Sequence, residues 1–190
     1  MKANVMISIQ PWWCYKIFNG TKIIEVRKTE PSSLYTQAPF KCYIYCTKPK
    51  LKRTEGAFTF FRDSLYRIAD TGEVQYGDSS ELWKGGKGKK DNYLCEKVIG
   101  EFTCKCIQKY IRYGNKSKYI GSFDELTIPA SLNINDLAKY AGEKGVLYGW
   151  EITGVKLYDK PLSIKDFANF RTGEHLTKPP VSWGYVRDLK

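Results

Sequence analysis

Histidine is nearly absent from this chain: there is one, His175, among 190 residues. A ribonuclease built on two histidines is thereby excluded. His175 falls in the polar stretch "RTGEHLTK" and reads as a solvated residue, the alternative being an acid or base in RNA cleavage. Long apolar runs are also missing. No stretch approaches the roughly 20 apolar residues that a membrane-spanning helix needs, so no membrane partner is expected. Met1 to Gln10 carry one lysine and a short apolar run broken by Asn4, Ser8 and Gln10, too short and polar for a signal peptide. A cytoplasmic protein is the expectation. Its six cysteines, Cys14, Cys42, Cys46, Cys95, Cys104 and Cys106, are then expected to be thiols and not a disulfide framework. Neither Cys42/Cys46 nor Cys104/Cys106 has the spacing of a metal site. They read as core thiols, and neither a metal nor a cofactor is expected.

Negative charge is the remaining deficit. Twenty acidic residues face 31 basic ones, a formal net charge of +11. Such an excess favours an anionic partner by raising its local concentration and on-rate, and nucleic acid is the first suspect. Aromatic residues make up 15% of the chain, and a basic surface carrying rings suits bases that stack and phosphates that need neutralising. The alternative for any one ring is burial in the core.

Along the chain, "NVMISIQ" (4 to 10) reads as a strand ending at Pro11, which suits the first turn of a helix. "PWWCYKIFNG" then predicts a short helix closed by Asn19 and Gly20. "KIIEVRK" is rich in β-formers, and "FKCYIYCT" (40 to 47) alternates, with Cys42, Ile44 and Cys46 on one side and Tyr43 and Tyr45 on the other. From about 48 to 92 the character changes: basic "KPKLKR", aromatic "AFTFFRDSLYRI" and glycine-rich "KGGKGKK" read as an insertion with a loop near its end. "KGGKGKK" lacks the order of a phosphate-binding loop, yet its lysines would add affinity for a long anion, as would Lys48, Lys50, Lys52 and Arg53.

"YLCEKVIGEFTCKCIQKYIRY" (93 to 113) predicts a long strand or bent pair with a bulge at Gly100. "NINDLAKYAG" (133 to 142) predicts a helix with Ile134, Leu137 and Ala138 on its apolar face, capped by Asn133 or Asn135 and stopped at Gly142. Strand "VLYGWEITGVKLYDKP" (146 to 161), short helix "SIKDFANF" and a last strand in "PPVSWGYVRDL" (179 to 189) follow. Short strands with few helices suggest one α+β domain spanning 1 to 190, a small mixed β-barrel with short helices plugging its ends; a mixed open sheet is the alternative.

One stretch raises the functional question. "GTKIIEVRK" (20 to 28) puts charge inside a strand. By alternation Ile23, Glu25 and Arg27 point one way and Ile24, Val26 and Lys28 the other. With Ile24 and Val26 as core, Glu25 and Arg27 sit side by side on the opposite face, and Lys22, at the turn after Gly20, leans over the same surface. A carboxylate, a guanidinium and an ammonium are gathered in one place. They are either an ion-pair network fixing a corner of the fold or a binding site. An exposed pair contributes only about 0 to 1 kcal/mol, and a buried one can lose to an apolar replacement, so function is the better reason to keep them.

Gly20, Lys22, Glu25 and Arg27 fit G-x-K-x-x-E-x-R, which resembles the defining motif of the ASCH superfamily of PUA-like β-barrels. The blocks "ISIQPWWCYKIFNG", "VIGEFTC", "YGWEI" and "PPVSW" resemble, in the same order, blocks of small bacterial and phage-type ASCH proteins. The resemblance spans 4 to 47 and 93 to 188 and leaves the insertion uncovered. It implies a barrel with a cleft lined by the charged motif, and a role in RNA binding or in the metabolism of modified nucleosides. Some relatives are hydrolases, including amidohydrolases of acetylated cytidine. They resemble this chain at Lys22 and Arg27 but carry a threonine nucleophile where it has Glu25.

The residues support a binding module for RNA or a nucleotide. Arg27 would take a phosphate or base edge, Lys22 a phosphate, and Glu25 an exocyclic amine. Gly20 would shape the site. Trp12 or Trp13 would border it, since both cannot face inward from so short a helix. Trp183, after two prolines, would cover a base, with Ser182 and Tyr148 at the rim, while Trp150 reads as core. The alternative is a metal-independent hydrolase of RNA or a modified nucleoside, with Glu25 as general base and Lys22 or Arg27 stabilising the oxyanion. A third reading has the insertion contact a protein partner.

Overall fold

The computed structural model describes residues 2–48, 94–112 and 120–188. The expected insertion, with its basic clusters and the "KGGKGKK" loop, lies outside them apart from Lys48.

The chain opens as its punctuation predicts. Strand β1 (Asn4–Ile9) runs into Pro11, which occupies the first turn of helix α1 (Pro11–Phe18). Pro11 forfeits only an amide that a helix start leaves unpaired anyway. The helix ends at Asn19, and Gly20 takes φ +77°, the left-handed turn that lets the chain reverse into β2 (Ile24–Arg27). Then come β3 (Phe40–Cys46), β4 (Lys97–Ile111), β5 (Ile120–Ser122), helices α2 (Phe123–Ala130) and α3 (Ile134–Ala141), β6 (Val146–Leu162), β7 (Phe167–Asn169) and β8 (Trp183–Asp188).

The eight strands of the described residues form one mixed sheet in the order β2-β6-β4-β3-β1-β8-β7, with β5 beside β4. Pairs β1–β3 and β4–β5 are parallel and the rest antiparallel. The sheet curls in the manner of a PUA-like α+β barrel without closing, because the end strands β2 and β7 are not paired with each other. No helix among the described residues is long and apolar enough to cross a membrane.

The alternation at 40 to 46 separates two cores. Cys42, Ile44 and Cys46 join Val5, Ile7, Cys14, Ile17, Phe102 and Trp150 under α1. Tyr43 and Tyr45 pack on the other face with Met6, Val98, Phe167 and Val186. A third cluster, Val26, Tyr110, Leu126, Leu137 and Leu147 among others, seats α2 and α3 on the sheet. The bend expected at Gly100 is present: the β4–β6 register shifts between Val98 and Gly100. A Cβ there would lie 2.3 Å from the Lys156 carbonyl oxygen and 2.9 Å from Phe18 Cζ, so α1 and β6 press on the strand where it has no side chain.

Three local expectations need correction. "SIKDFANF" is not a helix: Ile164–Asp166 is a single 3₁₀ turn held by a Ser163–Asp166 capping box, after which Phe167 and Ala168 are drawn into pairing with β8. Cys106 is not a core thiol. The register slips between Cys104 and Ile107, turning Cys106 out to solvent while Cys104 stays buried. On α3, Asn133 caps the Asp136 amide and Gly142 ends the helix as expected, but Leu137 and Ala141 are its buried residues and Ile134 is exposed.

Candidate functional site

The three charges meet. Glu25 lies on β2 directly opposite Trp150 of β6, and Arg27 opposite Tyr148. Glu25 Oε1 is 2.9 Å from Arg27 Nη2 and Oε2 is 3.3 Å from Lys22 Nζ, so each carboxylate oxygen has its own cation. The triad does not stand in an open mouth, however. Lys22, Glu25 and Arg27 are 2%, 6% and 8% exposed.

Each group is held by elements distant in sequence. Lys22 Nζ donates to the Ala130 carbonyl at 3.0 Å, the last residue of α2, where a cation complements the unpaired carbonyl end of a helix. Its ammonium also lies 5.4 Å from the Trp13 ring centre. Burial pulls the Lys22 ammonium below its ordinary value; the charge and hydrogen bond of Glu25 oppose that, while Arg27 and Lys16 add to it. Arg27 donates through Nη2 to the Ser8 carbonyl (2.9 Å) and through Nη1 to Ser182 Oγ (3.2 Å).

Two donors in this cluster have no acceptor among the described residues: Arg27 Nε and Trp150 Nε1, both buried. The register makes Arg27 and Trp150 diagonal neighbours on one face of the β2–β6 pair, within reach of each other for long side chains. Leaving such a donor buried and unpaired costs about 1 to 3 kcal/mol. Trp150, wholly buried, contacts Phe40 edge-on and Trp183 at 5.7 Å between ring centres. The Trp183 indole N–H donates to Thr29 Oγ1 at 3.0 Å.

Of the residues singled out from sequence, Lys22, Glu25, Arg27, Trp13 and Ser182 come together, with Gly20 shaping the turn that delivers Lys22. Trp183 joins through Trp150, and Tyr148 is half-buried on the same face. Trp12 packs with Tyr15 at 5.6 Å and lies under the Lys16 ammonium at 5.1 Å. His175 is exposed, with Nδ1 3.0 Å from the Lys165 carbonyl oxygen, and takes no part.

Sequence reasoning missed the Ser8 and Ala130 carbonyls and Tyr140. Partial burial pushes the Tyr140 phenol up, Arg27 pulling it down and Glu25 raising it; the residue is 37% exposed and its ring lies under the Lys28 ammonium at 5.1 Å. The spacing of Leu137, Tyr140 and Ala141 on one helix was the available signal. A hollow of about 230 Å³ against the Gly142–Lys144 turn shares no residue with the triad.

Comparison with known proteins bears on the fold. No family model matches the chain, and no curated protein does. Among solved structures, ASCH from Zymomonas mobilis aligns at a TM-score of 0.55 and 14% identity, covering 97% of this chain and 88% of that one. Two point mutants of that protein align alike. In one a tyrosine is replaced by phenylalanine (TM-score 0.54, 13% identity, 98% and 91% covered); in the other a serine is replaced by alanine (0.56, 14%, 98% and 89%). The chain has the ASCH domain fold.

Proposed function

We propose that this chain is an RNA- or nucleotide-binding module of ASCH type, in which a base or phosphate oxygen is received beside the Lys22, Glu25 and Arg27 triad. The observation that carries the reading is the pair of buried donors, Arg27 Nε and Trp150 Nε1, which share a face and have no protein acceptor among the described residues. A ligand oxygen placed there would recover the cost of leaving them unpaired. Trp183, tilted by 59° against Trp150, and Tyr148 supply aromatic walls beside the donors. The net charge of +11 favours an anion overall.

Burial refines the roles expected from sequence. Lys22 is enclosed by Trp13 and the end of α2, so it positions Glu25 and contributes positive potential without touching a phosphate. Binding is favoured over hydrolysis because both oxygens of Glu25 are already occupied by cations, leaving neither aimed at a water.

The test is a panel of fluorescently labelled single-stranded RNA and DNA and of ribonucleotides, titrated at low and moderate salt with turnover assayed in parallel. The reading predicts RNA or nucleotide binding that weakens as salt rises and is lost in Arg27→Ala. No affinity for any member of the panel would overturn it. Turnover by the wild type that is abolished in a Glu25→Gln variant still folded by circular dichroism would replace it with the hydrolase.

A further inference from the structure

The two unpaired donors are sealed. Arg27 Nε and Trp150 Nε1 are both buried, and Arg27 and Trp150 as residues are 8% and 0% exposed. No nucleotide meets them in this conformation. The segment that leaves Arg27, residues 28–35, runs over β8 beside them. Thr29 Oγ1 accepts from the Trp183 indole at 3.0 Å, and the Ser32 amide donates to the Tyr185 hydroxyl at 2.6 Å. Trp183 is the ring that leans on Trp150, and the neighbouring Ser182 is bonded to Arg27, so the Thr29 contact closes the segment at the inner site itself.

Its attachment is slight. Within 28–35 only Pro31 and Tyr35 are half-buried; the others are exposed, Leu34 at 87%. The Tyr35 and Thr36 amides turn back to the Ser32 carbonyl. Among the described residues, the first backbone–backbone bond from the segment to the rest of the fold runs from the Ala3 amide to the Tyr35 carbonyl at 2.9 Å. The Tyr35 ring lies 4.9 Å from Tyr185 and 6.3 Å edge-on from Phe170, with the Arg171 guanidinium over it at 4.4 Å. Thr36, 3% exposed, begins the fixed chain beyond. Exposed hydrogen bonds and few buried apolar contacts put such a segment at the low-stability end of a fold.

We infer that residues 28–35 are a lid over the inner site, latched by the Thr29–Trp183 hydrogen bond and the Arg171–Tyr35 contact, and that the ligand enters when the lid lifts between Arg27 and Thr36. The inference rests on the function proposed above and adds the route by which a ligand reaches the donors. The edge-on and tilted packing of Trp183, Tyr185 and Tyr35 makes a clasp of the rings, each closed by its neighbour. The latch closes over an empty and a filled site alike, so opening limits both entry and exit. Weakening it speeds both rates and leaves their ratio, the affinity, nearly unchanged.

Wild type, Thr29→Val and Arg171→Ala are compared in two measurements; both substitutions fall on exposed positions. The first needs no ligand: hydrogen–deuterium exchange of the Trp150 indole N–H, assigned by its loss in Trp150→Phe, against the Ile44 amide of the core. The second is stopped-flow binding and release of 5′-UMP. Each variant is expected to speed Trp150 exchange by about fivefold and leave Ile44 unchanged, and to raise the association and dissociation rates of UMP by about the same factor with less than a twofold change in affinity. Trp150 exchange that is the same in all three proteins, or that quickens only together with Ile44, would overturn the lid while the inner site stands. So would UMP rates indifferent to both substitutions. A wild type that binds no UMP would overturn the inner site, and with it the lid as a route for ligand, whatever the exchange shows.

Discussion

Arg27 on β2 donates to the main-chain oxygen of Ser8 on β1 at 2.9 Å, although the sheet order sets three strands between them. With its bond to Ser182 just before β8, this guanidinium spans the seam that backbone pairing leaves open. One side chain thus holds the barrel's curl and presents an unpaired Nε beside Trp150.

Arg27→Met should therefore cost stability as well as binding. Charged hydrogen bonds to buried partners contribute about 1.5 to 3 kcal/mol each, so a loss of about 3 kcal/mol is expected in urea unfolding followed by tryptophan fluorescence. Arg27→Lys keeps the charge but cannot span Ser8, Ser182 and Glu25 together, and should fall between wild type and Arg27→Met.

Glu25→Gln strands two buried cations. A loss of about 3 to 5 kcal/mol is expected. Adding Lys22→Met to Glu25→Gln removes one stranded charge, so the double variant should be more stable than Glu25→Gln alone. A double-mutant cycle by chemical denaturation measures that coupling.

Stability should fall as pH rises above 9. Burial raises Cys42 and Cys46 well above the ordinary thiol value of 9.0 and Cys104 to about 12, and contact with the Cys46 thiol, then burial, raises Cys95. A group whose folded value is raised contributes stability that is intact below its unfolded value and is lost as pH climbs toward the folded one. Each such thiol steepens the decline by about 1.4 kcal/mol per pH unit within its window. Lys22, whose value is lowered, acts oppositely: stability gains from it as pH rises from its folded value to 10.5. Urea midpoints at pH 8, 9 and 10 should decline, and less steeply in Cys46→Ala.

Gly100→Ala should destabilise by about 1 to 3 kcal/mol, since a methyl group would press on the Lys156 carbonyl and Phe18. Trimming the ring in Gly100→Ala/Phe18→Leu relieves only the side-chain half of that clash, so thermal unfolding should show partial recovery at most.

What the sequence made legible was local. Pro11 and Gly20 mark the bounds of α1, and alternation sorts Tyr43 and Tyr45 from Cys42 and Ile44, because those signals act within a few residues. Helix α2 is not among the elements expected from sequence, although Phe123, Leu126 and Ala130 are its buried side; Pro129 lies inside it. Ser163 and Asp166 form a genuine helix-start motif, but pairing of Phe167 with Asp188 overrides it after one turn. The triad followed from a strand's twofold repeat. Its burial did not, because Ser8 and Ala130 reach it only once the sheet curls.

The account turns on whether a nucleotide reaches the two unpaired donors. The most direct measurement is the ¹⁵N–¹H spectrum of the tryptophan indoles, five in this chain, during titration with ribonucleoside 5′-monophosphates. The account predicts that the Trp150 Nε1–H resonance, assigned by Trp150→Phe, moves downfield as it gains an acceptor, with Trp183 moving alongside and Trp12 unchanged. A Trp150 signal that stays in place while nucleotide binds would contradict it.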